Sequence, residues 1–593
     1  MLGYGRRVVA LSMFGLILPG CYLPAEGFTF GVGKTPLRMG ATPGGGSCTP
    51  GRGLGRGGAL VATRPGILVP YNHGFSRQEV CRGRLALSAE PAGGSSGSED
   101  AGGQVGAKPG EDGVILDGAT ATRRGHGGGL WNGIMGAWED RDFDKAIFAL
   151  AIPALGSLII EPVVRTIEAV MVGRLGAAEL GALSIGGSVV QVSFPLFNFF
   201  SYATTPMVAR ALARDDPREA SRLVAQGIWL STAVGITLML FLFFNCDGIL
   251  RVMGANAEIF PFARQFLLIR AFSAPAELWL LVAKGASYGH QNTKAPLQAI
   301  ATGSAVHLAL DFLFILVMKE GLAGAAMAVV ISQYTATLML LRSLVVAKVL
   351  LLQDLKRLPD PSKIFAYLSA GSSLLLRTVS MQTFYTIMTS VGARMGTSVI
   401  AAHAIARQCS SLEALVVDGL AVAAQALVAM YIGKGDRISA RRLTRRLLLL
   451  GAIAGTVLGA LLFALSGPIA SAFTTDPVVL AEARRAMPLV AAIQLPAALA
   501  YIFDGIFLGA RDFQYLGVAM MFCVVPAISV LLFTSQNYTL GLLTLWIASG
   551  TLLIARVAAL SYRYNTEGGP LSASKDSQIT AEGFPPKPAS STT

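Results

Sequence analysis

The sequence predicts an all-α membrane protein of twelve transmembrane helices arranged as two pseudo-symmetric six-helix lobes. The first observation is composition: of 593 residues, 53% are hydrophobic and only 14% are charged, whereas a soluble globular chain carries about 25% charged residues. The second is a series of apolar runs, each long enough to cross a hydrocarbon core of about 30 Å as a helix. The third is an internal repeat that relates two halves of the apolar region.

The apolar runs follow one another from residue 146 to residue 562 and define the predicted elements in order. Because they are uninterrupted, they indicate helices and not barrel strands, in which apolar and polar residues alternate. The spans are predicted at 146–172, 186–209, 226–245, 264–286, 297–318, 322–346, 366–391, 403–431, 447–466, 486–508, 514–534 and 539–562.

Lysine and arginine are concentrated in alternate loops, after the second and eighth predicted spans and between the sixth and seventh. This is the positive-inside pattern, and with an even number of spans it predicts both termini on the cytosolic side. The same placement argues against a nucleic-acid partner despite a net charge of +13. Six scattered cysteines without a CxxC pair give no support for a disulfide framework or a metal site.

Residues 1–140 are predicted to be a signal and transit presequence followed by a disordered segment. Two arginines precede an apolar stretch too short to span a membrane, and the region to about residue 78 contains one acidic residue, Glu26. Together these resemble the bipartite presequences of plastids bounded by extra membranes. We therefore expect an integral protein of the plastid envelope, with the plasma membrane or another endomembrane as the alternative. The tail 565–593 is predicted to be disordered.

Sliding the chain by 220 residues brings its halves into register without a gap. The matches include Asp216 with Asp436 in the loops and Gly285 with Gly505 in the spans. A six-span repeat keeps its orientation, so the lobes 141–350 and 351–564 are expected to be related by an axis along the membrane normal. Transporters use such repeats to hold a central site with alternating access.

Several motifs then resemble one family. "EAVMVGRLGAAELGALSIG" at 168–186, "HLALDFLFI" at 307–315, "DGLAVAAQALVAMYIGKGD" at 418–436 and "FDGIFLGARD" at 503–512 are similar to spans 1, 5, 8 and 10 of the multidrug and toxic compound extrusion (MATE) transporters. The likeness is to the DinF-like branch, which includes plant chloroplast-envelope members, and covers about residues 140–565. It implies two lobes facing a central cavity and export of organic compounds in exchange for H⁺ or Na⁺.

The first span contains three ionisable residues, Glu161, Arg165 and Glu168, at i, i+4 and i+7 on one helix face. A charge at mid-bilayer costs about 2.5–3.5 kcal/mol, so the cluster needs a reason. The resemblance places Glu168 at the family's first-span aspartate, a proton or cation site. The alternative is a static ion pair in which Arg165 neutralises both carboxylates.

The fifth span supplies a partner for Glu168. The resemblance aligns Asp311 with an acidic family position, and His307 stands where proton-coupled members usually have Asn. Histidine titrates near pH 6.5. We predict that Glu168, His307 and Asp311 form an H⁺-coupling site in the N-terminal lobe. Alternatively, His307 donates to a backbone or hydroxyl group, or the carboxylates bind Na⁺.

Four further residues are secondary ion or substrate candidates. Asp418 and Asp504 match acidic family positions, and Arg377 stands in the span where organic-cation exporters carry Glu, which favours an anionic substrate. Arg377 and Lys284 are expected to hold a carboxylate, because guanidinium pairs with it as a bidentate fork. The alternative pairs Lys284 with Glu277.

Pro153 matches the family's first-span proline and is predicted to act as a hinge, because proline removes a helical hydrogen bond. Prolines are also common in membrane helices without such a role.

The leading functional interpretation is a secondary antiporter that exports small organic anions or aromatics in exchange for H⁺. The alternatives are a Na⁺-coupled organic-cation exporter and a lipid-linked precursor flippase. The spans contain no Gly-x-Ser-x-Gly or HExxH motif, so no enzyme is expected. The expected partners are a small organic substrate and membrane lipid, with no cofactor beyond the coupling ion, and we expect a monomer.

Overall fold

The computed structural model describes residues 140–357, 360–536, 540–566 and 569–571. The predicted presequence and disordered segment, except for residue 140, and nearly all of the predicted disordered tail lie outside the described residues. Within the described part all regular structure is helical, so the predicted all-α class is confirmed.

Sixteen α-helices follow one another along the described chain. In the first lobe they are α1 (Asp144–Gly173), α2 (Ala177–Ser193), α3 (Phe199–Ala213), α4 (Pro217–Val252), α5 (Phe260–Ala271), α6 (Ala274–Gly289), α7 (Lys294–Asp311) and α8 (Gly321–Val346). In the second they are α9 (Leu352–Leu355), α10 (Pro361–Met395), α11 (Thr397–Gly433), α12 (Arg437–Phe473), α13 (Pro477–Ala492), α14 (Gln494–Ala510), α15 (Phe513–Thr534) and α16 (Leu543–Asn565). Three short turns complete the set: Arg141–Phe143 and Phe194–Phe197 are 3₁₀, and Phe312–Val317 is π-helical.

The described residues contain nine helical stretches long and apolar enough to cross a membrane, and eleven when each of two bent pairs is one span. The bent pairs are α5 with α6 and α13 with α14, each bent by 47°. They correspond to the fourth and tenth predicted spans, and the breaks are related by the 220-residue repeat. The seventh predicted span corresponds to α10, which is outside that count; it is rich in Ser and Thr and contains Arg377.

The repeat is visible in how helices approach each other. A Cβ atom added to Gly285 would lie 2.6 Å from the carbonyl oxygen of Ser201, and one added to Gly505 would lie 2.4 Å from that of Ala421. Ser201 and Ala421 are themselves 220 residues apart. Glycine at these points lets α6 meet α3, and α14 meet α11, backbone to backbone.

Buried apolar side chains show where the two lobes begin and end. Two clusters contain only residues of the first half of the membrane region, and a third contains only residues of the second half. The fourth cluster contains residues of both halves, such as Met207 and Phe507. It marks the contact between lobes.

The lobes meet on the side that carries the Lys/Arg-rich loops, which we call the basic side. Helix α3 packs there against α10, α11 and α14, and α1 packs against α11. Hydrogen bonds cross the contact: the Gln425 amide donates to the Tyr202 carbonyl at 3.0 Å, and Arg210 donates to the Ala510 carbonyl at 3.1 Å. Helix α2, nearer the opposite side, makes no comparable contact with the second lobe in the described residues.

The segment at the start of each lobe also binds to the other lobe. Asp140, just before α1, accepts a hydrogen bond from Arg442 of α12 at 2.7 Å. Asp354 of α9 accepts one from Ser221 of α4 at 2.6 Å, and Arg222 lies 4.0 Å from it. Because Arg222 and Arg442 are related by the repeat, we call these two attachments the crossed straps.

Candidate functional site

The charged face of α1 divides into a pair and a separate carboxylate. Arg165 donates a hydrogen bond to Glu161, and their side chains are 52% and 57% exposed. Glu168 is buried, with 6% of its surface exposed, and lies only within electrostatic range of Arg165. The expected static pair is thus present for Glu161 alone and does not extend to Glu168.

Glu168, His307 and Asp311 come together in the interior of the first lobe. Asp311 is completely buried, and its Oδ2 atom lies 3.3 Å from Nε2 of His307. Glu168 lies within electrostatic range of Asp311. Within the described residues, no hydrogen bond reaches either carboxylate oxygen of Asp311, Oε1 of Glu168 or Nε2 of His307.

Unsatisfied carboxylates in such a place are costly. A buried polar atom without a partner costs about 1–3 kcal/mol, and a charged one costs more. A bound proton or cation removes that penalty. The arrangement is therefore suited to binding a positive charge. Helix α7 ends at Asp311 and continues as the π-helical turn Phe312–Val317, and π turns are frequent at functional sites.

Arg270 is a member of this cluster that the sequence reasoning missed. It is the penultimate residue of α5, at the bend of the fourth span, and it donates a hydrogen bond to Ser273. Its guanidinium also lies 5.7 Å from the ring centre of Phe194. Its electrostatic neighbours include Glu277 and Glu168. The available signal was its position inside the predicted span 264–286, because a charged residue in a membrane span is costly and needs a reason.

Lys284 belongs to the same lobe-internal cluster, within electrostatic range of Glu161 and Glu277. The partnership with Glu277, weighed above as the alternative, is therefore the one consistent with its placement. Arg377 has other partners, in the second lobe. Since Arg377 already donates to Asp504 of its own lobe, joint binding of a ligand carboxylate by Lys284 and Arg377 stays a prediction.

The second lobe holds its acidic residue between two arginines. Arg377 of α10 and Arg556 of α16 both donate to Oδ2 of Asp504 in α14, the latter at 2.6 Å. All three side chains are buried, with 12%, 2% and 7% exposed respectively. Asp418 lies within electrostatic range of the three, so two acids and two bases form a balanced group. Arg556 was missed, although it stands within the twelfth predicted span.

Pro153 lies inside α1, which is one continuous helix through Pro153 and Pro162. Its hinge role stays a prediction. In the described residues no group of three or more His, Cys, Asp or Glu is placed to hold a metal ion.

A cavity of about 410 Å³ separates the lobes away from the basic side. Its walls come from α2 and the following 3₁₀ turn in the first lobe, and from α10 and α11 in the second. The polar lining residues are Ser188, Gln191, Thr378, Gln382, Thr383 and Arg407, and the remaining ones are apolar. The cavity is the space between lobes in which a small compound can be bound.

Comparison with known proteins is consistent with this architecture. The MatE family model matches residues 153–313 and 374–533, two segments that begin 221 and end 220 residues apart. "Protein DETOXIFICATION 44, chloroplastic" of Arabidopsis thaliana is 33% identical over 436 residues, covering 72% of this chain and 82% of the relative. "DNA damage-inducible protein F" of Escherichia coli (strain K12) is 26% identical over 427 residues, covering 71% and 90%.

Among solved structures, the chain is similar to one described as "Crystal structure of MATE in complex with MaD3S". The TM-score is 0.65 at 19% identity, covering 70% of this chain and 94% of the other. At that identity the likeness shows the fold, and it confirms the two-lobe arrangement.

Proposed function

Because the chain belongs to the MatE family of efflux transporters, we propose that this integral membrane protein is a secondary antiporter that exports small organic anions or aromatic compounds in exchange for H⁺. The observation that carries the proposal is the pair of buried carboxylates, Glu168 and Asp311, of which Oε1 of Glu168 and both oxygens of Asp311 lack hydrogen-bond partners in the described residues. An antiporter needs a group that can bind and release its coupling ion, and these two carboxylates can bind and release a proton.

The proposed cycle uses the first lobe alone for coupling. With a proton bound, a neutral carboxyl can donate a hydrogen bond to its neighbour, and the burial penalty disappears. When the proton leaves, the remaining negative charge attracts a cation, and Arg270 is close enough to Glu168 to supply it. In the protonated state a proton neutralises the carboxylates, and in the deprotonated state Arg270 does so. A conformational change that favours one of these arrangements would couple proton binding to movement of the lobes.

His307 supports H⁺ over Na⁺ as the coupling ion. Its Nε2 atom lies 3.3 Å from Oδ2 of Asp311, so the imidazole can share a proton with that carboxylate. Sodium is a hard cation and favours oxygen ligands, to which a histidine adds nothing.

The substrate class is supported by the charge of the inter-lobe cavity. Its lining residues include one basic side chain, Arg407, and none that is acidic among the described residues. An anion or a neutral aromatic compound is compatible with such walls, and an organic cation would meet an uncompensated like charge.

We place the protein in the plastid envelope. "Protein DETOXIFICATION 44" and "Protein DETOXIFICATION 45" of Arabidopsis thaliana are both named chloroplastic, and a plastid presequence is predicted for this chain. Imaging the tagged full-length chain in a plastid-bearing cell tests this placement, and retention in the secretory pathway would contradict it.

Transport is tested with the full chain in proteoliposomes, under ΔpH and ΔNa⁺ imposed separately, by following uptake of aromatic acids and organic cations. We expect ΔpH-driven uptake of an acid, lost in Glu168→Gln and Asp311→Asn. Glu258→Gln is the matched control, because Glu258 is an exposed turn residue. Uptake driven only by ΔNa⁺, or ΔpH-driven uptake that survives Glu168→Gln, would contradict the proposal.

A further inference from the structure

Arg407 stands apart from the other membrane-embedded arginines. It lies ten residues into α11 and four residues into the predicted eighth span, and its side chain is exposed. In the part of the chain that the structure describes, its guanidinium forms no ion pair or hydrogen bond, and its nearest aromatic contact is the face of Tyr385 at 5.7 Å. By contrast, Arg165, Arg377 and Arg556 each donate to a carboxylate.

A cationic side chain that faces a cavity and has no carboxylate partner in the described residues is available to bind an anion. The cost of such a charge is met by pairing with an anion or by water in a cavity, and Arg407 lines the inter-lobe cavity. Stacking on Tyr385 leaves the edge of the guanidinium, where its donors lie, available to another partner. A ligand bound in the cavity can accept hydrogen bonds from these donors.

The surrounding walls narrow the chemistry of that ligand. The amides of Gln191 and Gln382 and the hydroxyl of Thr383 supply hydrogen bonds, and Val192 and Leu196 supply apolar surface. The volume of about 410 Å³ falls in the range of roughly 300–1,000 Å³ typical of small-molecule sites. An apolar body with one negative group fits this combination.

The cavity receives its positive charge from one lobe only. The repeat equivalent of Arg407 is Gly187 in α2, at which an added Cβ would meet no atom of the described residues within 4 Å. The first lobe thus contributes open space and the Gln191 amide opposite the cation of the second lobe. A ligand that contacts both walls would link the lobes across the cavity.

We infer that Arg407 is the anion-binding residue of the inter-lobe cavity and that the cavity takes aromatic monocarboxylates, held by a bidentate guanidinium pair with the ring against the apolar wall. The inference deepens the proposed function and rests on it for the identity of the bound compound as the exported one. Arg407 contacts the substrate and takes no part in proton coupling.

The test is equilibrium binding to the detergent-solubilised full chain, without any ion gradient. The probes are 1-naphthoate, 1-naphthylmethanol and 1-naphthylmethylammonium, which share a ring system and differ in charge. We expect wild type to bind the acid in preference to the other two. Arg407→Gln should raise the Kd for 1-naphthoate tenfold or more, and Arg407→Lys should give an intermediate value, because it keeps the charge and loses the fork.

Arg394→Gln is the control. Arg394 is exposed at the end of α10, so this substitution should leave the Kd for 1-naphthoate unchanged. Wild-type affinity for the acid in both Arg407 variants, equal affinity of wild type for the three probes, or no binding of 1-naphthoate would each overturn the inference. Binding that depends on Arg407 in a protein that shows no ΔpH-driven transport would support the site and contradict H⁺ antiport. The two proposals therefore fail separately.

Discussion

The two lobes share a packing scheme but satisfy their buried charges in opposite ways. In the second lobe Asp504 is held by Arg377 and Arg556, whereas in the first lobe Glu168 and Asp311 have oxygens without hydrogen-bond partners in the described residues. The close-approach glycines obey the 220-residue repeat, but the charges do not. Lys284 is the repeat equivalent of Asp504, and Met388 and Leu531 are those of Glu168 and Asp311. The comparison indicates a duplicated scaffold with one lobe suited to a fixed charge balance and the other to titration.

The largest expected effect comes from breaking the balanced group. Asp504→Asn leaves Arg377 and Arg556 buried without their carboxylate, and removing one partner of a buried ion pair costs about 3–5 kcal/mol. Glu168→Gln removes a carboxylate that has no ion pair among the described residues, so the thermal stability of this variant in detergent should stay near that of wild type. A thermal unfolding series on both variants tests the contrast. Equal destabilisation by the two substitutions would remove the distinction between the lobes.

The second effect should be the same in both lobes. In Gly285→Ala and Gly505→Ala the new methyl group would lie 2.6 Å and 2.4 Å from a carbonyl oxygen of the facing helix, so the helices must separate. Overpacking of this kind typically costs about 1–3 kcal/mol. Gly248→Ala is the control, because in the described part of the chain an added Cβ there meets no atom within 4 Å. If one of the two glycines tolerated alanine as Gly248 does, the structural equivalence of the lobes would be contradicted.

The smallest effect concerns the crossed straps. Asp140→Asn weakens the attachment of the segment before α1 to Arg442, which is 42% exposed, so the expected shift toward opening on the basic side is modest. It can be measured as a several-fold faster thiol labelling of Met207→Cys, which lies in the cluster joining the lobes.

The double variant Asp140→Asn/Arg442→Gln is the control for the strap prediction. If the pair acts as a unit, the double variant should label no faster than the faster single variant. Fully additive effects would show that the two residues act independently.

The fold was largely predictable because its signals are local or periodic. Apolar runs of sufficient length mark the spans, and matches such as Asp216 with Asp436 mark the repeat; both aspartates cap the helix that follows, accepting hydrogen bonds from Glu219 and Ser439. The 47° bends between α5 and α6 and between α13 and α14 were not predicted, because the apolar runs continue through them.

The site was predictable only in part, because pairing depends on contacts between distant helices. Ionisable residues within spans, together with the family resemblance, pointed to Glu168, His307 and Asp311, which the structure places near one another; their coupling role stays a prediction. The partners of Asp504 are 127 and 52 residues away in sequence, and nothing in composition or spacing reports such contacts. For the same reason Arg377 was expected to pair with a ligand and not with Asp504, and Arg407, which has no ion pair among the described residues, was overlooked.

The most direct test of the central claim separates proton coupling from substrate passage in the same proteoliposomes. The first measurement is the ΔpH-driven accumulation of 1-naphthoate. The second is the exchange of 1-naphthoate across the membrane at equal pH on both sides, which requires no net proton movement. We predict that Glu168→Gln abolishes the first and preserves the second, while Arg407→Gln reduces both. Accumulation at the wild-type level in Glu168→Gln would contradict coupling through the first lobe.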